Sequence, residues 1–235
     1  VIHTHRWVPW RPAVEFAERL ADGKSLVVEL GPGKRPFRPA TQFVGRPKTN
    51  DVIAALPEYA GTFHDLDLSR DELPWGDGEV DFLYTRHTLE DLDDPIWCLR
   101  EIQRVAKSGY IETPSVINEL CRGVDAPIDT GERAPWRGYH HHRSFVWSDG
   151  KTLQVCPKYH VIEHVQLTEQ NLYDKLNEGP LYWNTYFWWE GRLPFKAYQH
   201  ELDFEIGHDY GMLLTRAADE SANSCAAFGE MCNVR

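Results

Sequence analysis

A near-continuous apolar run at residues 25–30 closes on the turn Glu29-Leu30-Gly31-Pro32-Gly33. A half-exposed strand would alternate apolar and polar residues. An unbroken run ended by glycines reads instead as a parallel strand buried on both faces. Such a strand needs crossover connections, and the neighbouring segments supply them. Residues 12–20 place Val14, Phe16, Ala17 and Leu20 on one helical face, and Gly23 ends that helix. Residues 42–45, 62–66, 80–85 and 110–113 read as further strands. Residues 51–59 read as a helical turn or two, and residues 95–106 as a helix opened by Pro95. This alternation predicts an α/β fold, a parallel sheet with helices on its faces.

After Pro114 the rhythm changes. Residues 116–160 are rich in Pro, His, Arg and Trp without a clear period, and read as an insertion carried by the core. Residues 167–177 return to helix. Residues 182–189 and 203–216 read as the strands of a closing antiparallel pair, and the small, polar segment after Ala217 as a frayed tail.

Composition narrows the function classes. With 42% hydrophobic and 26% charged residues in 235, the chain is an ordinary globular mix. No apolar stretch is long enough for a membrane span. Lys plus Arg number 25 against 36 Asp plus Glu, a net charge of −11 that repels phosphate backbones, so no nucleic-acid partner is expected. Cys98, Cys121, Cys156, Cys225 and Cys232 are scattered and contain no CxxC pair, which argues against a disulfide framework or structural zinc and for a reducing, cytoplasmic setting. The N-terminus lacks an apolar signal core and begins at Val1, so the chain reads as a domain of a longer polypeptide.

Gly31 and Gly33 let the backbone approach a ligand at the carboxyl end of a strand, where open α/β sheets bind ligands; a tight turn also needs such glycines on its own account. The turn has no Gly-Lys-Ser/Thr ending and lacks the third glycine of a dinucleotide fingerprint. Further on stand Leu73-Pro74-Trp75-Gly76-Asp77-Gly78-Glu79-Val80-Asp81-Phe82 and His87-Thr88-Leu89-Glu90-Asp91, before the helix at Pro95. Taken together with the glycine turn, this order over residues 25–115 resembles the class I S-adenosylmethionine-dependent methyltransferases, in the branch carrying "LPF-x-D-x-x-F-D" and "H-x-L-E-H" segments.

The resemblance implies a Rossmann-like, doubly wound, mostly parallel seven-stranded sheet with helices on both faces and an antiparallel last strand. It implies S-adenosyl-L-methionine as cofactor and S-adenosyl-L-homocysteine as product. Glu29, Gly31, Pro32 and Gly33 would line the methionine and ribose part. Asp65, with Asp67 as the competing alignment, would accept a hydrogen bond from the adenine amine. Arg86 and His87 would begin the loop facing the methyl group. Two positions depart from the family pattern. Gly45 stands where an acid often binds the ribose hydroxyls, leaving Asp51 or a backbone group for that role. Asp91 stands where a second histidine is usual. The expected organisation is one methyltransferase domain over residues 1–235: an N-terminal helical segment (1–24), a cofactor-binding core (25–115), a substrate-side insertion (116–160), the C-terminal half of the sheet (161–216) and a tail (217–235).

Methyl transfer from a sulfonium requires the protein to align the nucleophile and remove its proton. A histidine is the natural base for a hydroxyl. His87 either serves as that base or packs beside the cofactor. His140, His141 and His142 are the other candidates, as a substrate-side wall or as incidental loop histidines; at most two of three successive residues can face one site. No metal ligands are marked by spacing and none is predicted. Asp91, Asp93 and Asp94 either cap the following helix or serve a divalent metal. The aromatic run at 182–189 either packs on both sides of a strand or offers a platform for a sugar ring or an oligomer contact between copies of the chain. The weaker likeness of the insertion to glycan-modifying methyltransferases adds to an expected function: O-methyl transfer to a sugar or glycan hydroxyl. Methylation of another small molecule or a protein amine, and an inactive binding module of the same fold, are the alternatives.

Overall fold

The computed structural model describes residues 9–33, 35–46, 63–125, 134–198 and 206–233. Helix α1 (Arg11–Ala21) precedes strands β1 (Val27–Leu30), β2 (Gln42–Gly45), β3 (Phe63–Asp65) and β4 (Phe82–Arg86), helix α2 (Pro95–Val105) and strand β5 (Ser108–Pro114). Helix α3 (Val116–Leu120), strands β6 (Ser144–Ser148) and β7 (Leu153–Pro157), helix α4 (Glu169–Asn177), strands β8 (Asn184–Glu190) and β9 (Phe195–Ala197), and helix α5 (Ile206–Asn233) follow. The helical turn expected at 51–59 lies outside the described residues.

The main sheet has the order β3-β2-β1-β4-β5-β8 and is parallel except for the antiparallel β5–β8 pair. The α/β fold with an antiparallel last strand is therefore present, but among the described residues the sheet has six strands, not seven. Strands β6, β7 and β9 form a separate three-stranded sheet. The 116–160 segment thus supplies a helix and an antiparallel hairpin where no regular structure was expected.

Side chains alternate across the main sheet as the pleat requires. Val27, Phe82, Tyr84, Tyr110 and Tyr186 pack with Phe16 and Ala17 of α1 and Cys225 and Phe228 of α5. Val28, Leu83, Ile111 and Phe187 pack with Leu99, Ile102 and Val105 of α2. Helices cover both faces. The aromatic run divides in the same way, with Tyr186 and Trp188 on one side and Phe187 and Trp189 on the other, so these residues are core.

Loops between strands are held by charged side chains. Asp81 accepts the Ser25 and Leu26 backbone N–H groups (3.2 and 3.1 Å) and the Lys107 ammonium (2.8 Å), which ties the start of β1 to β4. Arg104 donates to the Leu73 and Trp75 carbonyls (3.0 and 2.7 Å), so this cation anchors the loop before β4.

The C-terminus departs most from expectation. Where a strand to residue 216 and a frayed tail were expected, the described residues form one 28-residue helix, α5. Its buried residues Tyr210, Leu214, Ala217, Ser221, Cys225 and Phe228 recur at helical spacing and dock on the core. All five cysteines are free thiols. No helix among the described residues is long and apolar enough to cross a membrane.

Candidate functional site

A cleft of about 420 Å³ opens at the carboxyl ends of β1, β2, β3 and β4. That volume suits a small-molecule ligand, and the crevice is where this sheet topology binds ligands. Gly31 and Pro32 line it, with Gly45, Asp67, Ser69, His87, Thr88 and Asp91 among the other walls.

Gly31 cannot be another residue without rearrangement. Its φ is +64°, and a Cβ would fall on the Thr88 side chain. Its N–H donates to the Val44 carbonyl (2.9 Å), fixing the turn over β2. Gly33 is exposed and is not among the lining residues, contrary to expectation.

Glu29 is also displaced from its expected role. It is buried behind the turn and accepts the Phe37 N–H (2.7 Å), shaping the loop rather than lining the cleft. Burial pushes its carboxyl up to about 8, against the opposing pull of that N–H and of Arg86. The folded chain therefore keeps a proton on Glu29 that the unfolded chain loses near pH 4.5. Stability falls as pH rises from about 4.5 to about 8. Glu29→Gln keeps an acceptor for Phe37 and removes this dependence. Its stability relative to the native chain should grow by a few kcal/mol across that window, read by urea unfolding at pH 5 and pH 8. An unchanged difference would refute the assignment.

Two residues past β3, Asp67 lines the cleft, whereas Asp65 is exposed and outside the lining. Desolvation opposes the ionisation of Asp67, but the Ser69 N–H and the Arg46 and Arg70 guanidinium groups outweigh it and hold the carboxyl below its usual range. Gly45 is in the lining, so no carboxylate stands at the end of β2; Asp51 lies outside the described residues. Arg86 is not in the lining. Its guanidinium pairs with the buried Glu112 (2.9 Å), which Asn184 also contacts (2.8 Å).

His87 does line the cleft, and it is the one described non-glycine residue with positive φ (+51°). Such a conformation is costly for histidine and recurs at functional positions. Its Nδ1 lies 3.3 Å from Glu90 Oε1, and its Nε2 lies 4.0 Å from Glu112 Oε1. Glu90 is 1% exposed, and neither carboxylate oxygen has a hydrogen bond among the described residues.

The three consecutive histidines divide. His140 is exposed, and its Nδ1 meets Asp125 Oδ2 (2.8 Å). His141 is partly exposed beside Asp91 (3.8 Å). The His142 side chain is 1% exposed; its Nδ1 meets Glu119 Oε1 (2.6 Å), and its Nε2 faces Asp91 Oδ1 (3.8 Å). Glu119 Oε2 in turn accepts the Lys158 ammonium (2.5 Å), which also donates to the Tyr139 carbonyl (2.9 Å). Burial works against the Glu119 charge, but Lys158 and His142 hold its carboxyl down at about 2. The chain passes over this pair at Gly138, φ +58°, where a Cβ would strike the Glu119 backbone. Glu119 and Lys158 escaped the sequence reading; the glycine before the histidines was their one local signal.

The acidic cluster has three separate roles. Asp94 caps α2 by accepting the Trp97 N–H (2.9 Å), Asp93 pairs with Arg143 (2.6 Å), and Asp91 faces the histidines. Burial first, and then Glu90, push Asp91 up to about 6, against the pull of His142.

Residues 48–111, about a quarter of the chain, match the family described as a methyltransferase domain. This segment carries a methyltransferase-domain signature. The fold around it is the α/β Rossmann-like fold with a mostly parallel central sheet. None of the curated proteins matches the sequence. Among solved structures, an S-adenosylmethionine-dependent methyltransferase from Mesorhizobium loti is 21% identical, with 48% of this chain and 57% of that one covered and a TM-score of 0.39. A protein from Thermotoga maritima described as a possible histamine N-methyltransferase is 22% identical over 45% and 51% of the two chains, with a TM-score of 0.35. The N-terminal domain of EvdMO1, solved with S-adenosylhomocysteine bound, is 18% identical over 44% and 50%, with a TM-score of 0.34. The chain thus spans little more than half the length of each, and likenesses at this level carry no further weight.

Proposed function

We propose that the chain is an S-adenosylmethionine-dependent O-methyltransferase that acts on a hydroxyl of a neutral, sugar- or glycan-like acceptor, with His87 as general base. The carrying observation is His87 itself: a strained residue in the wall of the strand-end cleft, with the buried Glu90 carboxylate 3.3 Å from its Nδ1. The cofactor fits the residues present. A side chain at position 31 would collide with Thr88, so bare backbone is kept where a ligand approaches, and Asp67 and Ser69 offer polar contacts beside it.

When bound, S-adenosylmethionine supplies an activated methyl group on a sulfonium, which leaves as a neutral thioether. The Gly31–Pro32 turn and Asp67 hold the cofactor side of the cleft, and His87 accepts the hydroxyl proton. Glu90, whose Oε1 lies 3.3 Å from Nδ1, stabilises the resulting imidazolium. The net charge of −11 supports a neutral acceptor over a polyanion, and five free thiols agree with a reducing, cytoplasmic setting.

The test is turnover with S-adenosylmethionine and a panel of neutral mono- and oligosaccharides, following S-adenosylhomocysteine release and the mass gain of one CH₂ in the product. His87→Asn is the informative variant because asparagine tolerates positive φ. It should lower kcat by about 10²–10⁴-fold while retaining S-adenosylhomocysteine binding. Methylation of amines with none of hydroxyls, or undiminished turnover in His87→Asn, would overturn the proposal.

A further inference from the structure

We infer that Asp91, His141 and His142 bind a divalent first-row transition-metal ion of the Zn²⁺ class beside the cleft, which Asp91 lines. Asp91 Oδ1 lies 3.8 Å from both His141 Nε2 and His142 Nε2, and the three ligand atoms all fall within 4.8 Å of one another. Ligands about 2.0–2.1 Å from a tetrahedral Zn²⁺ sit about 3.3–3.4 Å apart, so small side-chain shifts complete the site.

The orientation of His142 fits a ligand. Glu119 meets its Nδ1 at 2.6 Å, which leaves Nε2 as the ring atom facing Asp91 (3.8 Å). A carboxylate behind a ligating imidazole is the usual second layer of a metal site, and Lys158 fixes that carboxylate in turn. Glu90 and Glu119 both lie within electrostatic reach of Asp91 and His142, while Lys158 is engaged by Glu119 and Arg143 by Asp93. Two imidazoles and one carboxylate suit Zn²⁺, Co²⁺ or Fe²⁺, whereas Mg²⁺ and Ca²⁺ prefer all-oxygen sets.

A neighbouring group, Asp125, His140 and His141, is the weaker candidate. There Asp125 Oδ2 already meets His140 Nδ1 (2.8 Å) and accepts from Trp136 Nε1 (2.9 Å).

Asp91 lines the cleft, so an ion held by it would border the acceptor side. Such an ion would lower the pKa of an acceptor hydroxyl, and His87 would accept its proton. This role rests on the function proposed above; the binding of the ion does not.

The experiment is titration of the chelator-treated chain with Co²⁺, followed by its visible absorption, and with Zn²⁺ by calorimetry. One ion should bind per chain in the micromolar range or tighter. Asp91→Asn and His141→Ala, both at partly exposed positions, should each weaken binding at least about tenfold, and Glu119→Gln about 10–100-fold, with circular dichroism unchanged. Absence of one-to-one binding would overturn the inference. So would binding that persists unchanged in Asp91→Asn and His141→Ala, or that is lost in His140→Ala but kept in Asp91→Asn. Metal binding without methyl transfer would count against the proposed function alone, and methyl transfer without metal binding against this inference alone.

Discussion

Lys158→Met lowers the unfolding free energy by about 3–5 kcal/mol, the usual cost of removing one partner from a buried ion pair. For a chain of this length that is a fall in Tm on the order of 10 °C. The expectation follows from the position of Glu119. Its side chain is 2% exposed, in the helix that follows β5, and its two oxygens are divided between His142 and Lys158. Without the ammonium, Glu119 stays desolvated with only His142 and a long contact from the Tyr139 N–H (3.4 Å), and the Tyr139 carbonyl loses a donor. The double variant Lys158→Met/Glu119→Gln removes the stranded charge while keeping an acceptor for His142, and recovers at least half of the loss. Urea unfolding of the two variants and the native chain checks both statements. A single variant within about 1 kcal/mol of the native chain would show that the ion pair is not what holds the histidine segment down.

Gly31→Ala abolishes S-adenosylhomocysteine binding and costs the fold about 2–5 kcal/mol. Two penalties add. An alanine at φ +64° costs about 1–2 kcal/mol, and its Cβ overlaps Thr88, an overpacking term of about 1–3 kcal/mol. Thr88 is buried and hydrogen-bonded to the Arg86 carbonyl (3.2 Å), so it does not simply swing aside. Relief comes instead by the turn lifting into the cleft. Gly31→Ala/Thr88→Gly removes the collision and leaves the backbone penalty, so its stability lies between the native chain and the single variant. Thermal unfolding alongside binding separates the two effects; native-like binding in Gly31→Ala would mean that the turn is not part of the ligand wall.

Much of this site is legible where function sits next to a strand end. Gly31, Pro32, Asp67 and His87 each lie within two residues of a main-sheet strand, so finding the strands from apolar runs also finds them. The same reasoning misplaces Glu29 and Arg86, because sequence position does not say which face of the pleat a side chain takes. Both turn into buried polar contacts rather than into the cleft.

The acceptor side is less legible. Glu119 is 23 residues from His142 and 39 from Lys158, a pairing that local periodicity does not encode. Of His140, His141 and His142 only the last has a buried side chain, and it lies just past Gly138, where the chain passes too close to Glu119 for a side chain. Helix α5 is hidden for a different reason. Its buried stripe includes Ala217, Ser221 and Cys225, small residues that carry little hydropathy but pack closely on the sheet. Helix propensity in this alanine-rich stretch was the available signal, and apolar weighting hides it.

On this account the strand-end cleft holds S-adenosylmethionine. Calorimetric titration of the purified chain with S-adenosylhomocysteine tests it most directly. One-to-one binding in the micromolar range, lost in Gly31→Ala and retained in His87→Asn, is the predicted result. No detectable heat of binding from a folded native chain would contradict it.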